Sequence, residues 1–262
     1  MNIPFYKCNS NGNDFKIIVH KDTLDPSFFT REKIKNICNI ESDIYVDGLI
    51  LLNYKNDLIF MDYYNNDGSW ETFCLNGAIC CSLVLKKEFN TDNFNIISND
   101  IMYKTKNIKH NFVKVEINKP KYKLKNIVVN GYNSNYLDSG AKHLVINYSK
   151  EWIGKKQLLQ DMKKIRYDKQ FSPKGINVNF YKIINKQTIQ VKTYEKGIES
   201  IMDSCASGSY ACAYDYSKKN KNIKSIKVIN DGGNSEVLFG KNYSTNFFSS
   251  KGVIEYKGNI KV

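Results

Sequence analysis

Apolar and polar residues alternate with a period of two over several short runs of this chain, the signature of half-buried strands. In the first half these runs fall at Phe5–Cys8, Phe15–Val19, Leu49–Leu52, Leu58–Tyr63 and Phe112–Ile117. In the second they fall at His143–Asn147, Asn177–Ile184, Thr188–Tyr194, Ser225–Ile229 and Glu236–Phe239. Four stretches carry a helical repeat instead. One follows Asp25-Pro26 and runs towards Cys38, since Asp suits the cap and Pro the first helical position. Another begins just after Cys74 and sets Ala78, Cys81, Val84 and Leu85 on one apolar face. Glu151–Ile165 and Ser207–Lys218 fit the remaining two. Between the halves, Lys119 to Asn133 is polar and turn-rich enough to hold a domain boundary. The pattern predicts a mixed α/β (α+β) chain.

The halves also echo each other. Gly12-Asn13-Asp14-Phe15-Lys16-Ile17-Ile18 resembles Asn177-Val178-Asn179-Phe180-Tyr181-Lys182-Ile183-Ile184, and Cys74-Leu75-Asn76-Gly77 resembles Cys205-Ala206-Ser207-Gly208. In both halves the C-x-x-G element opens a predicted helix. Two echoes in the same order suggest a duplicated domain.

With 262 residues, 42% hydrophobic and 25% charged, the chain is globular in composition and long enough for two cores. No run approaches the roughly 18 apolar residues of a membrane helix. Met1 to Lys7 has no basic-then-apolar leader pattern, so a cytoplasmic protein with no membrane partner is expected. The net charge of +13 brings nucleic-acid binding into consideration. Only Arg31 and Arg166 are arginines, however, and the lysines are scattered among Asn, Ile and Tyr. Arginine is the better residue for bidentate phosphate contacts. A solvated surface with no nucleic-acid partner is therefore expected, and the charge would help draw in an anionic substrate.

The seven cysteines are odd in number and include no C-x-x-C pair, and there are only three histidines. That argues against a disulfide framework and against a structural zinc site. An isolated cysteine is ordinarily a small buried apolar residue, the reading that fits Cys8, Cys38, Cys80, Cys81 and Cys212. Cys74 and Cys205 differ because each opens a helix. A thiol there sits at the positive end of the helix dipole beside unpaired N–H groups, which favours thiolate. The same N–H groups bind carboxylates. Two such helix starts facing one amino acid would place its α-hydrogen between two sulfurs. One thiolate would remove the proton while the other thiol delivered one to the far face.

At these residues the sequence resembles diaminopimelate epimerase, and the resemblance runs along nearly the whole chain. Asn11-Gly12-Asn13-Asp14-Phe15 is similar to that family's G-N-D-F signature and Asp47-Gly48-Leu49-Ile50 to its A-D-G-L segment. Asn65-Asn66-Asp67-Gly68-Ser69 matches N-x-D-G-S, and Cys74-Leu75-Asn76-Gly77-Ala78 resembles C-G-N-G-A. Ser139-Gly140-Ala141-Lys142-His143 resembles G-N-P-H, and Asn177-Val178-Asn179-Phe180 matches N-x-N-F. Tyr194-Glu195-Lys196-Gly197 resembles Y-E-R-G, and Cys205-Ala206-Ser207-Gly208 resembles C-G-T-G.

The resemblance implies two pseudo-symmetric domains, each a curled, mostly antiparallel sheet around a central helix, with the active site in the cleft between them. They would comprise residues 1–118 with a C-terminal strand over 246–262, and residues 119–245. It implies epimerisation without pyridoxal phosphate, metal or other cofactor, and it admits a homodimer. By match, Cys74 and Cys205 are the catalytic pair. The main-chain N–H groups of Leu75, Asn76, Ala206 and Ser207 would hold the reacting carboxylate. Asn13, Asn65 and Asn177 match substrate-contacting asparagines, and Glu195 matches a residue near the reacting amine. His143 and Glu195 would help set the thiol pKa values. Without the family context the asparagines read as turn or cap residues.

Departures from the pattern fall on the substrate. Lys196 stands where the family grips the distal carboxylate with Arg, a point charge in place of a planar fork. Ala141 and Lys142 replace the asparagine and proline before the histidine. Leu75 and Ala206 replace the glycines after both cysteines, and Leu75 adds bulk where backbone must approach a substrate. The small-molecule amino acid expected is diaminopimelate, taken from the LL to the meso form. The alternatives are a racemase of another amino acid such as histidine on the same scaffold and, from a different class, a basic nucleic-acid-binding protein.

Overall fold

The computed structural model describes residues 2–20, 28–39, 45–55, 58–220 and 222–261. The chain divides into two compact units, one of Met1–Ile117 with Ser249–Val262 and one of Asn118–Phe248.

The first unit runs β1 (Asn2–Ser10), β2 (Asn13–His20), α1 (Arg31–Asn39), β3 (Gly48–Lys55), β4 (Leu58–Asn65), β5 (Trp70–Glu71), α2 (Leu75–Phe89), β6 (Asn93–Ser98), β7 (Ile101–Asn107) and β8 (Phe112–Ile117). β1 pairs antiparallel with β2, β2 parallel with β3, and β3 antiparallel with β4. β6 then lies parallel to β4 and continues antiparallel through β7 to β8. The second unit repeats this order in β9 (Lys121–Val129), β10 (Tyr132–Asp138), β11 (Lys142–Asn147), α3 (Lys155–Arg166), β12 (Asn177–Asn185), β13 (Thr188–Glu195), β14 (Ser200–Met202), α4 (Ala206–Lys219), β15 (Ser225–Asn230) and β16 (Gly233–Phe239). β10 and β11 are antiparallel, β11 and β12 parallel, β12 and β13 antiparallel, and β15 lies parallel to β13. β17 (Asn246–Lys251) leads back to the first unit, where β18 (Val253–Lys261) pairs with β1.

Each unit is thus a curled, mostly antiparallel sheet about one helix, and the reason lies in the helices. Every residue of α2 from Leu75 to Leu85 is buried, so the helix needs sheet on most sides. Strands β1, β2, β6, β7, β8 and β18 supply it. α4 is buried from Gly208 to Ser217 and is covered by β10, β11, β12, β13 and β15. The outer helices α1 and α3 bury one stripe each, Ile34, Ile37 and Cys38 in the first and Leu158, Met162 and Ile165 in the second.

Several expectations shift. The Asp25-Pro26 cap lies outside the described residues; α1 begins at Arg31, and Thr30 caps it by accepting from the Lys33 N–H at 3.3 Å. α3 starts at Lys155, after Gly154, and not at Glu151. The stretch read as a linker holds β9 and β10, whose ladder makes them strands although β9 is exposed along most of its length. β7 escaped the hydropathy pattern because two of its inward residues are polar. Thr105 Oγ1 meets Ser82 Oγ of α2 at 2.9 Å, and Asn107 Nδ2 donates to the Ser82 carbonyl at 3.0 Å. The echo between Gly12–Ile18 and Asn177–Ile184 is a likeness of pattern only. By topology β2 matches β11 and β3 matches β12, so Asn177 stands where the first unit has Gly48. The Cys74 and Cys205 motifs do hold equivalent places.

Candidate active site

Both cysteines are the N-caps of the helices at the centres of their units. Cys74 sits at φ −120°, ψ 115° before α2, and Cys205 at φ −128°, ψ 107° before α4. Both carbonyls accept the first helical hydrogen bond, from the Ala78 N–H at 2.9 Å and the Ser209 N–H at 2.8 Å. The N–H groups before these, Leu75 and Asn76 in one helix and Ala206 and Ser207 in the other, are first-turn donors that no preceding turn can satisfy. Thus each sulfur stands beside a small fan of N–H groups at a positive helix end, the arrangement that stabilises a thiolate and binds a carboxylate.

The surroundings of the two sulfurs differ. In the first unit Cys74 is partly buried, and its Sγ accepts from the Gly77 N–H at 3.4 Å. Asn76, two residues on, is buried and donates Nδ2 to Asn13 Oδ1 at 2.5 Å. Asn13 in turn donates Nδ2 to Asp47 at 3.3 Å. The Asp47 carboxylate also takes the Asp14 N–H at 2.9 Å, while burial raises its pKa against the pull of these two donors. An ionised carboxylate accepts only, so the chain of amides is oriented and leaves Asn76 Oδ1 buried without a partner among the described residues. Asn65 closes β4 opposite Gly48, accepts the Gly68 N–H at 2.9 Å, and donates Nδ2 to Ser69 Oγ at 3.1 Å. Asp47 receives the Asn66 N–H on its carbonyl at 3.0 Å, which ties this turn to the starts of β2 and β3.

In the second unit Cys205 is buried, and its Sγ lies 3.6 Å from Ser207 Oγ. His143 is fully buried with Nε2 3.0 Å from the same hydroxyl and Nδ1 3.1 Å from Asn179 Nδ2. Burial lowers the His143 pKa to about 4, so the ring is neutral near pH 7. It acts there as a hydrogen-bonding group, not as a charge. Asn179 is held by the Thr193 hydroxyl on Oδ1 at 2.9 Å, and Ser139 Oγ donates to the Ser207 carbonyl at 2.9 Å. A side chain at Gly208 would put its Cβ 2.2 Å from Asn179 Oδ1, which is why the motif's last position is glycine. Asn177 spends its amide on backbone, accepting the Lys196 N–H at 2.8 Å and donating to the Lys142 carbonyl at 3.1 Å. Glu195 ends β13 next to Lys196, half-buried, with Lys196 exposed.

The structure therefore brings Cys74, Asn76 and Asn13 together, and likewise Cys205, Ser207 and His143. Leu75, expected to add bulk at the substrate, is buried, as is Ala206. Sequence reasoning passed over Asp47 and Asn179. Asn179 was within reach, since the period of two in N-x-N puts it on the same strand face as Asn177. Asp47 is joined to Asn13 only by strand pairing. Burial pushes the Cys38 thiol up to about 12 and those of Cys80, Cys81 and Cys212 well above the usual thiol range, which keeps these four protonated near pH 7. Among the described residues no cluster of His, Cys, Asp and Glu is arranged to hold a metal ion, and no helix is long and apolar enough to cross a membrane.

No family model matches the chain. It is 30% identical over 258 residues to a diaminopimelate epimerase of Aquifex aeolicus, covering 90% of this chain and 88% of that protein. With a diaminopimelate epimerase of Flavobacterium psychrophilum it shares 31% identity over 260 residues, covering 97% of this chain and 98% of the relative. Among solved structures, a hydroxyproline epimerase from Agrobacterium vitis superposes with a TM-score of 0.72 at 10% identity, over 99% of this chain and 92% of that one. At that identity the likeness speaks for the fold.

Proposed function

The chain belongs to the diaminopimelate epimerase family, and from that premise we propose that it inverts the α-carbon of an amino acid, with Cys74 and Cys205 as paired acid and base. Inversion without a cofactor needs a base on one face of the α-carbon and an acid on the other. The reading therefore requires that both helix starts act on one substrate. One thiolate takes the α-proton, and the opposite thiol gives its proton to the other face. Negative charge gathers on the substrate carboxylate as the C–H bond breaks. The N–H groups of Leu75, Asn76, Ala206 and Ser207 are donors of fixed direction for that charge and need no reorganisation as it develops.

The single observation that carries the reading is the matched pair of N-cap cysteines, one before each central helix and with nearly the same backbone angles. Asn13, Asn65 and Asn177 are assigned to contact the substrate, with Glu195 beside its amino group. Lys196 is assigned to a distal carboxylate, which makes diaminopimelate, LL to meso, the substrate proposed. A lysine attracts that group as a point charge without the fork of an arginine, so weaker discrimination against substrates lacking a second carboxylate is expected.

The experiment is α-proton exchange in deuterated buffer, followed by NMR, on diaminopimelate and on a panel of L-amino acids. Exchange with inversion on diaminopimelate, lost in both Cys74→Ala and Cys205→Ala, is the expected result. Exchange confined to a mono-carboxylate such as histidine keeps the chemistry and overturns the substrate. A folded, fully reduced protein that exchanges nothing overturns the reading.

A further inference from the structure

The polar chain behind Cys205 runs in one direction. The Thr193 hydroxyl donates to Asn179 Oδ1 at 2.9 Å, which fixes the amide with Nδ2 as donor. That nitrogen serves the Leu144 carbonyl and His143 Nδ1, both at 3.1 Å. Nδ1 is thereby an acceptor. The neutral ring carries its single proton on Nε2, and Nε2–H donates to Ser207 Oγ at 3.0 Å. With a lone pair so occupied, the hydroxyl has its own hydrogen to place. Among the described residues the remaining partner of Ser207 Oγ is Cys205 Sγ, 3.6 Å away.

We propose that Ser207 is a positioning residue for Cys205, its hydroxyl hydrogen directed onto the sulfur by the Asn179–His143 pair. A directed O–H stabilises the thiolate more than the thiol, because a charged acceptor makes the stronger hydrogen bond. The equivalent position in the first unit is built differently. Asn76 holds the equivalent position and points its amide at Asn13, while Cys74 takes a backbone N–H from Gly77. The two cysteines thus meet different donors, a backbone N–H at Cys74 and a side-chain hydroxyl at Cys205. The inference deepens the role assigned to Cys205 above and rests on that reading for its relevance to catalysis.

Of the titratable groups, Asp138 at the end of β10 acts on His143 and Cys212 on α4 acts on Cys205 through space, while Asp203 lies two residues before Cys205 and Glu195 two residues beyond Thr193 in sequence. Changing Ser207 alters none of them.

The test is the pH dependence of iodoacetamide alkylation of the reduced full-length protein, with Cys74 and Cys205 quantified separately by peptide mass spectrometry. In Ser207→Ala the Cys205 midpoint should rise by about one pH unit, about tenfold less thiolate at a given pH, with Cys74 unmoved. Ser207→Thr, which keeps the hydroxyl, should restore the original midpoint. Asn179→Leu, which frees the ring tautomer, should move Cys205 in the same direction as Ser207→Ala. An unchanged Cys205 midpoint in Ser207→Ala, or equal shifts in Ser207→Ala and Ser207→Thr, would overturn the proposal. Alkylation needs no substrate, so this outcome and the failure of the exchange experiment are read independently.

Discussion

Lowering the pH from about 7 towards 4 asks the folded second unit to accept a proton on a ring it has buried. His143 is fully enclosed, and burial brings its pKa from the ordinary 6.5 to about 4. Unfolding returns the ring to water and to its ordinary value. Between those two values the unfolded chain binds more protons than the native one, so native stability rises with pH across the window and is lost as pH falls through it. Each pH unit is worth about 1.4 kcal/mol, so the full loss attributable to this one group is about 3 kcal/mol. Below the folded value both states carry the proton and the loss stops growing. Urea unfolding at about pH 7, 6 and 5 should give a smaller fall in stability for His143→Gln than for the parent, because the substituted side chain does not titrate. The carboxylates with lowered pKa values, Glu199 and Asp67, weaken both proteins alike and cancel in the comparison. If His143→Gln loses as much stability as the parent over that range, the ring is not held neutral by burial, and the assignment of its proton to Nε2 loses its basis.

Three further outcomes are expected. Gly208→Ala places a methyl 2.2 Å from Asn179 Oδ1, which must move; thermal or urea unfolding should register a loss of about 1–3 kcal/mol, the usual cost of overpacking, and a variant as stable as the parent would contradict the tight approach. Asp215→Ala removes a fully buried carboxylate from Asn135 Nδ2 (2.7 Å), Lys219 Nζ (2.7 Å) and the hydroxyls of Tyr122 (3.0 Å) and Tyr181 (3.2 Å). Urea unfolding should show about 3–5 kcal/mol lost, since one partner of a buried charged network is removed and the rest are stranded. Thr30→Ala should cost about 1 kcal/mol through its N-cap on α1, and no change in the unfolding midpoint would place the start of that helix elsewhere.

How much was legible in the sequence depends on what each residue does. Strands β2, β3, β12 and β13 were readable because most of their buried positions are apolar, Phe15 and Ile17, Leu49 to Leu52, Val178 and Phe180, Ile189 and Val191, and hydropathy records that burial. β7 and β9 were not. The first turns Thr105 and Asn107 inward to a serine of α2, and the second is mostly exposed and exists through its ladder with β10. The two C-x-x-G motifs were readable because a helix start is a local event, set by a few consecutive residues. The match between Gly12–Ile18 and Asn177–Ile184 misled for the converse reason: a polar turn followed by a β-branched run describes many strands and identifies none.

By itself, then, the sequence determined the local facts: the mixed composition, the principal strands, two central helices each opened by a cysteine, and a family resemblance strong enough to imply the chemistry. Tertiary structure decided what depends on partners distant along the chain. It set which strands are equivalent in the two units and joined Asp47 to Asn13 and Asn179 to His143. Apolar periodicity reports only whether a side chain is buried. The direction of a hydrogen bond depends on which donor or acceptor folding brings within about 3 Å of it, often from tens of residues away.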